Sequence, residues 1–335
     1  MSAIRFVDPA DRDVPLTRDG DAYVSPAGRR YPIVDGIPRF VESRDRAQAQ
    51  TADSFGYKWR RQPAWGSRAD GEHVVWDMWR GMFGFDRDRL RELMEGRTVL
   101  DAGCGAGVAL RQFAEWPRVV AAVDISEAID ACRAQLDDRG SIAFVQADLN
   151  ALPFSDEYFD VVWSSGVLHH TPDTFTALRS VTRHAKIGGR VVFYVYIRKG
   201  PIREFVDDYL RKEISDLPPE EAWRRMEALT KLGRSLAQIS QPLVIEEDVP
   251  ELGIAAGTHN LQRFVYYDLF KCFWNDALSF DENVNVNFDW YHPKYAHRQT
   301  PEQVCGWLDQ LGLEPEFFHI GESGITVIAR RKDTR

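Results

Sequence analysis

Nine residues at 99–107, Val-Leu-Asp-Ala-Gly-Cys-Gly-Ala-Gly, constrain the fold of this chain more than any other stretch. A short apolar run enters a turn with glycine at alternate positions, Gly103, Gly105 and Gly107, and a helical pattern follows from Val108. Glycines there let backbone approach a ligand closely, and the helix start offers unpaired N–H groups. The spacing differs from the G-x-G-x-x-G turn that cradles a pyrophosphate. The acidic Asp101 would also repel a pyrophosphate, but it suits a ligand that carries an ammonium group.

Around this turn, strand and helix patterns alternate. Strands are expected at 98–101, 119–125, 142–146, 159–164 and 190–197, and helices at 108–115, from Ser126, and at about 172–185. Such alternation predicts a mostly parallel sheet covered on both faces. Past Gly200-Pro201 the pattern turns helical, over 204–214, 219–239 and 261–275. Thr300-Pro301 then marks a helix start, with the threonine at the N-cap and the proline at the first helical position. A final antiparallel pair is expected at 314–320 and 324–330. The divisions are therefore a β-rich module at 1–50, a cofactor-binding core at 51–197, an insertion at 198–299 that reads as a lid, and the end of the core at 300–335. Asp19-Gly20 and Asp35-Gly36 are expected turns in the first module, and Gln48, Ala49 and Gln50 read as its linker to the core.

Three more segments place chemistry at the carboxyl ends of strands, where open α/β sheets bind ligands. Asp124 ends the second strand, where a carboxylate can accept from a ribose diol. Asp148 and Leu149 follow the third, where the carboxylate can accept from an adenine amino group. The fourth runs from Asp160 through Ser165 to His169-His170.

In this order and spacing, the four segments resemble the class I methyltransferases that use S-adenosylmethionine (SAM), in their broad small-molecule group; the likeness covers about 98–197 and the chain's end. The resemblance implies a Rossmann-like, seven-stranded, mostly parallel α/β sheet and SAM as cofactor. It puts Asp101, Gly103 and Gly105 at the methionine part, Asp124 at the ribose, and Asp148 with Leu149 at the adenine; Ile125 and Ser165 join the cofactor set. The segment at 31–40 resembles the end of a small zinc ribbon found ahead of some such enzymes. Its expected cysteine pairs are missing, so the module is read as a degenerate ribbon and no metal is expected. The segment at 54–59, Ser-Phe-Gly-Tyr-Lys-Trp, also resembles one seen in such enzymes and is placed over the cofactor or in the core.

On the acceptor side, His169 is the first candidate for a general base, with His297 as the second. His170, Trp290, Tyr291, His292 and Tyr295 are expected to line the acceptor pocket, the last four from an aromatic loop. The aromatic run at 264–274 is read as lid core or a homodimer contact.

Charge and composition narrow the partners. A net charge of −9 disfavours a nucleic-acid substrate. Four scattered cysteines, Cys104, Cys132, Cys272 and Cys305, fit a reducing cytoplasm, and no apolar run is long enough to span a bilayer. The expected activity is methyl transfer to a small molecule, in secondary metabolism or in cell-surface glycan or lipid assembly. Two rivals stay open at this point: a methyltransferase of rRNA or tRNA, and a SAM-binding module without catalysis.

Overall fold

In the computed structural model, which describes residues 4–41, 45–66, 69–139 and 141–333, the strand before the glycine turn lies in the middle of a seven-stranded sheet. The strands of this sheet are β1 (Thr98–Ala102), β2 (Val119–Asp124), β3 (Ile142–Gln146), β4 (Phe159–Ser165), β5 (Ala185–Tyr196), β6 (Leu313–Ile320) and β7 (Gly324–Arg331). Their spatial order is β6-β7-β5-β4-β1-β2-β3. The pairs among β1 to β5 are parallel, and β7 runs antiparallel between β5 and β6. This is the expected Rossmann-like α/β sheet, closed by the expected hairpin.

Every residue of β1 and β2 is buried, as covered parallel strands require. Side chains alternate between two cores. Val99, Val120, Val161 and Trp163 face helices α2 (Ala69–Phe83) and α3 (Arg87–Met94) and the insertion. Leu100, Ala121, Val162 and Phe193 face α6 (Thr174–Thr182), α11 (Pro301–Gln310) and the N-terminal module. Two short helices complete the core, α4 (Leu110–Phe113) and α5 (Ala128–Leu136). The helix expected at 108–115 is thus one turn, because tight turns continue through Ala109. Strand β5 begins earlier than expected, at Ala185, and shortens α6 accordingly.

The N-terminal module holds an antiparallel sheet of four short strands, Thr17–Asp19, Ala22–Val24, Arg30–Val34 and Ile37–Pro38, with hairpin turns at Gly20 and Gly36. Buried Asp8 ties it together, accepting hydrogen bonds from Tyr31 Oη at 2.8 Å and Arg29 Nε at 2.8 Å. The module covers the outer edge of β3, where the Phe40 N–H donates to the Gln146 carbonyl at 2.7 Å. Residues 48–50 are not a linker. They belong to helix α1 (Arg46–Arg61), capped by Asp45, and Gln48 and Gln50 fasten it to the core and the insertion.

The insertion leaves the sheet at Ile197 and returns at Gln299, where the Gln299 N–H donates to Tyr196 O at 2.8 Å. It carries α7 (Pro201–Ile214), α8 (Pro219–Ala237), α9 (Leu261–Phe264) and α10 (Phe280–Tyr291). The single helix expected at 261–275 is interrupted. After α9 and a π-helical turn at Val265–Leu269, residues 270–275 run without helix. Their N–H groups go to side chains instead: Lys271 N to Asp207 (3.1 Å), Phe273 N to Asn287 (2.8 Å) and Asn275 N to Asn283 (2.7 Å). Residues 288–291, expected in a loop, form the last turn of α10, which a Ser279–Glu282 capping box starts. Among the described residues, no helix is long and apolar enough to cross a membrane.

Candidate active site

One cavity of about 1120 Å³ lies between the carboxyl ends of the central strands, α1 and the insertion. Its two ends differ in chemistry.

At the sheet end, β1 delivers Asp101 into the floor. The carboxyl is buried, and its Oδ2 has no hydrogen-bond partner among the described residues. Burial, reinforced by the neighbouring Asp124, pushes its pKa up to about 8. The turn that follows is crowded: a Cβ on Gly103 would lie 2.3 Å from Val167, and one on Gly105 2.8 Å from the Trp59 indole nitrogen. Both glycines also have positive φ, +92° and +54°, so glycine is needed at each on two grounds. Asp124 stitches this turn to β2. Its Oδ2 accepts from Gly105 N at 2.9 Å, and its Oδ1 from Ser126 N and Oγ at 2.8 and 2.6 Å. Asp148 caps the turn after β3 through Asn150 N (2.8 Å) and also accepts from Gln48 Nε2 of α1 (2.6 Å). Gly103, Gly105, Ile125, Leu149 and Ser165 line the same end, and α1 covers it with Phe55 and Trp59.

The insertion end is aromatic and cationic. Tyr194 and Tyr196 come from β5, Tyr266, Tyr267 and Phe273 from the broken helix, and Trp290 from α10. Among them stand Lys58, Lys199, Arg203, Lys271 and Asp289. Lys58 meets Asp289 at 3.1 Å. Burial opposes ionisation of Asp289, but Lys58, His170 and Lys271 outweigh it and hold the carboxyl below its usual range. Burial pushes the Lys199 and Lys271 ammonium groups down to about 7. Arg203 is paired with Asp207 beneath the wall.

The model of a methyltransferase domain matches residues 100–193. The chain is 33% identical over 178 residues to a ubiquinone/menaquinone biosynthesis C-methyltransferase of Serratia proteamaculans, covering 50% of this chain and 68% of that one. The chain belongs to the class I SAM-dependent methyltransferases. It is also 40% identical over 106 residues to a 27-O-demethylrifamycin SV methyltransferase of Amycolatopsis mediterranei, 30% of this chain and only 38% of that enzyme's length. A SAM-dependent methyltransferase of Mesorhizobium loti superposes with a TM-score of 0.42 at 18% identity, over 73% of this chain and 95% of that one.

As a methyltransferase, the chain presents a donor end that fits its cofactor. The orphaned carboxyl of Asp101 stays protonated while nothing meets it, and an ammonium group such as SAM carries would let it ionise in place. The glycine turn leaves backbone, not side chains, on the cavity wall beside it.

The expected acceptor residues divide. His170 and Trp290 line the cavity; His169, Tyr291, His292, Tyr295 and His297 do not. His169 and His170 are consecutive in a 3₁₀ turn, Leu168–His170, so their side chains leave the backbone in different directions. The structure turns His169 away: it is fully buried against Tyr196, ring centroids 3.7 Å apart, and burial drives its pKa well below the usual histidine value. His170 faces Phe55 and the cavity, and its Nδ1–H donates to the Tyr295 carbonyl at 2.6 Å. That leaves Nε2 with the lone pair and no partner among the described residues; burial lowers the pKa to about 4.

His297 lies in a separate polar pocket and contacts the Thr171 carbonyl through Nε2 at 3.1 Å, while its N–H donates to His169 O. It pins the loop after β4. Tyr291 donates to Asp207 at 2.7 Å, and His292 meets the Leu217 carbonyl at 3.0 Å; both lock α10 in place. Tyr295 offers its carbonyl to His170 rather than its ring to the cavity. The sequence reading missed Lys58, Lys199, Arg203, Lys271 and Asp289. For Lys271 a signal existed: one lysine inside the aromatic run Phe270-Lys271-Cys272-Phe273.

Proposed function

We propose that the protein transfers the methyl group of SAM to a small molecule held at the insertion end of the cavity. The observation that carries this reading is the continuous cavity, with the donor constellation at one end and an aromatic chamber at the other. A flat or open basic face, which a nucleic-acid substrate would need, is not what this site offers.

SAM supplies an electrophilic methyl on a sulfonium. The chain's part is to bind, align and keep water out. Asp101 takes the ammonium of the methionine portion, Asp124 the ribose, and Asp148 with Leu149 the adenine. Phe55 and Trp59 of α1 close the donor end. Bound SAM would give up its methyl carbon to the acceptor's nucleophilic atom and keep the S–C electron pair on sulfur, so the chain's residues have only to hold the two in line. The acceptor's proton, where it has one, would pass to His170 Nε2, the unprotonated nitrogen of a ring that lines the cavity. A pKa near 4 keeps that ring neutral at ordinary pH, so it is always ready to accept but is a weak base. Alignment therefore supplies most of the rate.

Calorimetry with S-adenosylhomocysteine (SAH), followed by transfer of radiolabelled methyl to a panel of small acceptors, tests the reading. Binding of SAH with label appearing in a small molecule is the expected result. Label entering only RNA, or no SAH binding by the folded protein, would overturn it.

A further inference from the structure

The insertion end holds an ammonium that Asp289 and Asp207 favour only from a distance and that has no direct ion-pair partner among the described residues. Lys271 is 4% exposed, and its ammonium sits 4.8 Å from the centroid of the Trp290 ring. Among the described residues no carboxylate lies within ion-pairing distance of it, and the nearby ones are committed. Asp207 takes four donors: Arg203 Nε, Trp290 Nε1 (2.8 Å), Tyr291 Oη (2.7 Å) and the Lys271 backbone N–H (3.1 Å). Asp289 is held by Lys58. A buried ammonium is costly to leave unpaired, and the face of one indole offsets only part of that cost. Burial has already lowered its pKa to about 7, which an arriving anion would raise again.

The donor's own carboxylate is not that anion, because it shares a carbon with the ammonium that Asp101 would take at the far end of the cavity. SAM carries a sulfonium, and its end of the cavity is lined by Asp101, Asp124 and Asp148. The cavity is thus polarised: Asp101, Asp124 and Asp148 line the donor end, whereas at the other end Lys58 and Arg203 are paired with Asp289 and Asp207, Glu322 lies near Lys199, and Lys271 is left without an ion pair. We infer that the acceptor is a small aromatic or apolar acid whose carboxylate pairs with the Lys271 ammonium. The rings of Tyr196, Tyr266 and Trp290 flank the body of such a molecule. This inference rests on the methyl-transfer reading of the cavity and names the class of acceptor within it.

The probes are 2-naphthoate and its neutral amide, 2-naphthamide, titrated into the protein saturated with SAH and followed by fluorescence. Naphthoate should bind about 10-fold tighter than naphthamide, the scale of one desolvated ion pair. Lys271→Met should erase that preference while leaving SAH affinity unchanged, and Lys271→Arg should keep it. Equal binding of the two probes to the wild type, or no binding of either at millimolar concentration, overturns the inference without needing a folded variant. So does a preference that survives in Lys271→Met. Failure of SAH to bind would instead sink the methyl-transfer reading, and is seen before any probe is added.

Discussion

The two ends of the cavity are built in opposite ways. One end gathers residues at the carboxyl ends of strands: Asp101 near the end of β1 with the glycine turn after it, Asp124 closing β2, Asp148 just after β3, Ser165 closing β4. Backbone and carboxylates dominate it. The acceptor end is assembled from Lys58, Tyr196, Lys271 and Trp290, which lie on four separate elements and meet only because the insertion folds back over the sheet. Rings and ammonium groups dominate there. The contrast teaches that one half of the cavity is set by the sheet's own geometry, whereas the other depends on how the insertion folds over that sheet.

If the halves are separable, variants at one should leave the other untouched. The largest effect is expected at His170. His170→Ala should slow single-turnover methyl transfer by up to about 10²-fold, the low end of what a positioned base contributes because this one is weak, with SAM affinity unchanged. Because burial lowers its pKa to about 4, the ring is neutral above that value, and it should produce no fall in rate between pH 8 and pH 5. A fall centred near pH 6.5 that vanishes in the mutant would show a histidine that is less buried in solution. His169→Ala should lower stability and not the chemical rate of the folded fraction.

Next comes Asp101. Its replacement by Asn should weaken SAM binding by roughly 10–100-fold, the loss of one charged hydrogen-bond partner, and leave acceptor-probe binding alone. Its pKa lies near 8 when folded against 3.8 in the ordinary carboxyl, so between these values the folded chain holds a proton that the unfolded chain releases. Stability of the ligand-free protein should therefore fall as pH rises through that window, by at most about 1.4 kcal/mol per unit, and Asp101→Asn should flatten the slope. SAM affinity should climb over the same range, since the ammonium needs the ionised form. Denaturant melts and calorimetry at several pH values read both.

Smaller and confined to the other end is Asn287→Ala. The Asn287 side chain accepts from Phe273 N and donates to Thr230 Oγ1 at 2.9 Å, holding the unwound segment that presents Lys271. Its loss should cost about 1–3 kcal/mol in stability and weaken acceptor binding, with SAH affinity unchanged. The smallest effect is expected from Gln48→Ala, which removes the 2.6 Å bond to Asp148. A net change of about 0.5–1.5 kcal/mol in SAM affinity, and none in acceptor binding, should follow. An effect on both ligands would mean that α1 couples the halves through the Lys58–Asp289 pair.

What the sequence determined by itself was the sheet and the gathering of Asp101, Asp124 and Asp148 at its carboxyl edge. Apolar strands, alternate glycines and the aspartates after them are local patterns, and a parallel sheet brings the carboxyl ends of neighbouring strands together without further information. Helix starts were also legible where a cap is local, as at Thr300-Pro301. Tertiary structure decided the rest. Which of two adjacent histidines faces the cavity depends on the turn they occupy and on Tyr196, 26 positions beyond His170, filling the other side. The helix expected through Lys271 is undone by carboxylate and amide side chains from α7 and α10, which outbid its own carbonyls for the backbone N–H groups. The charge of the acceptor end depends on which carboxylates are already taken, and long-range pairing of that kind leaves no periodic trace along a chain.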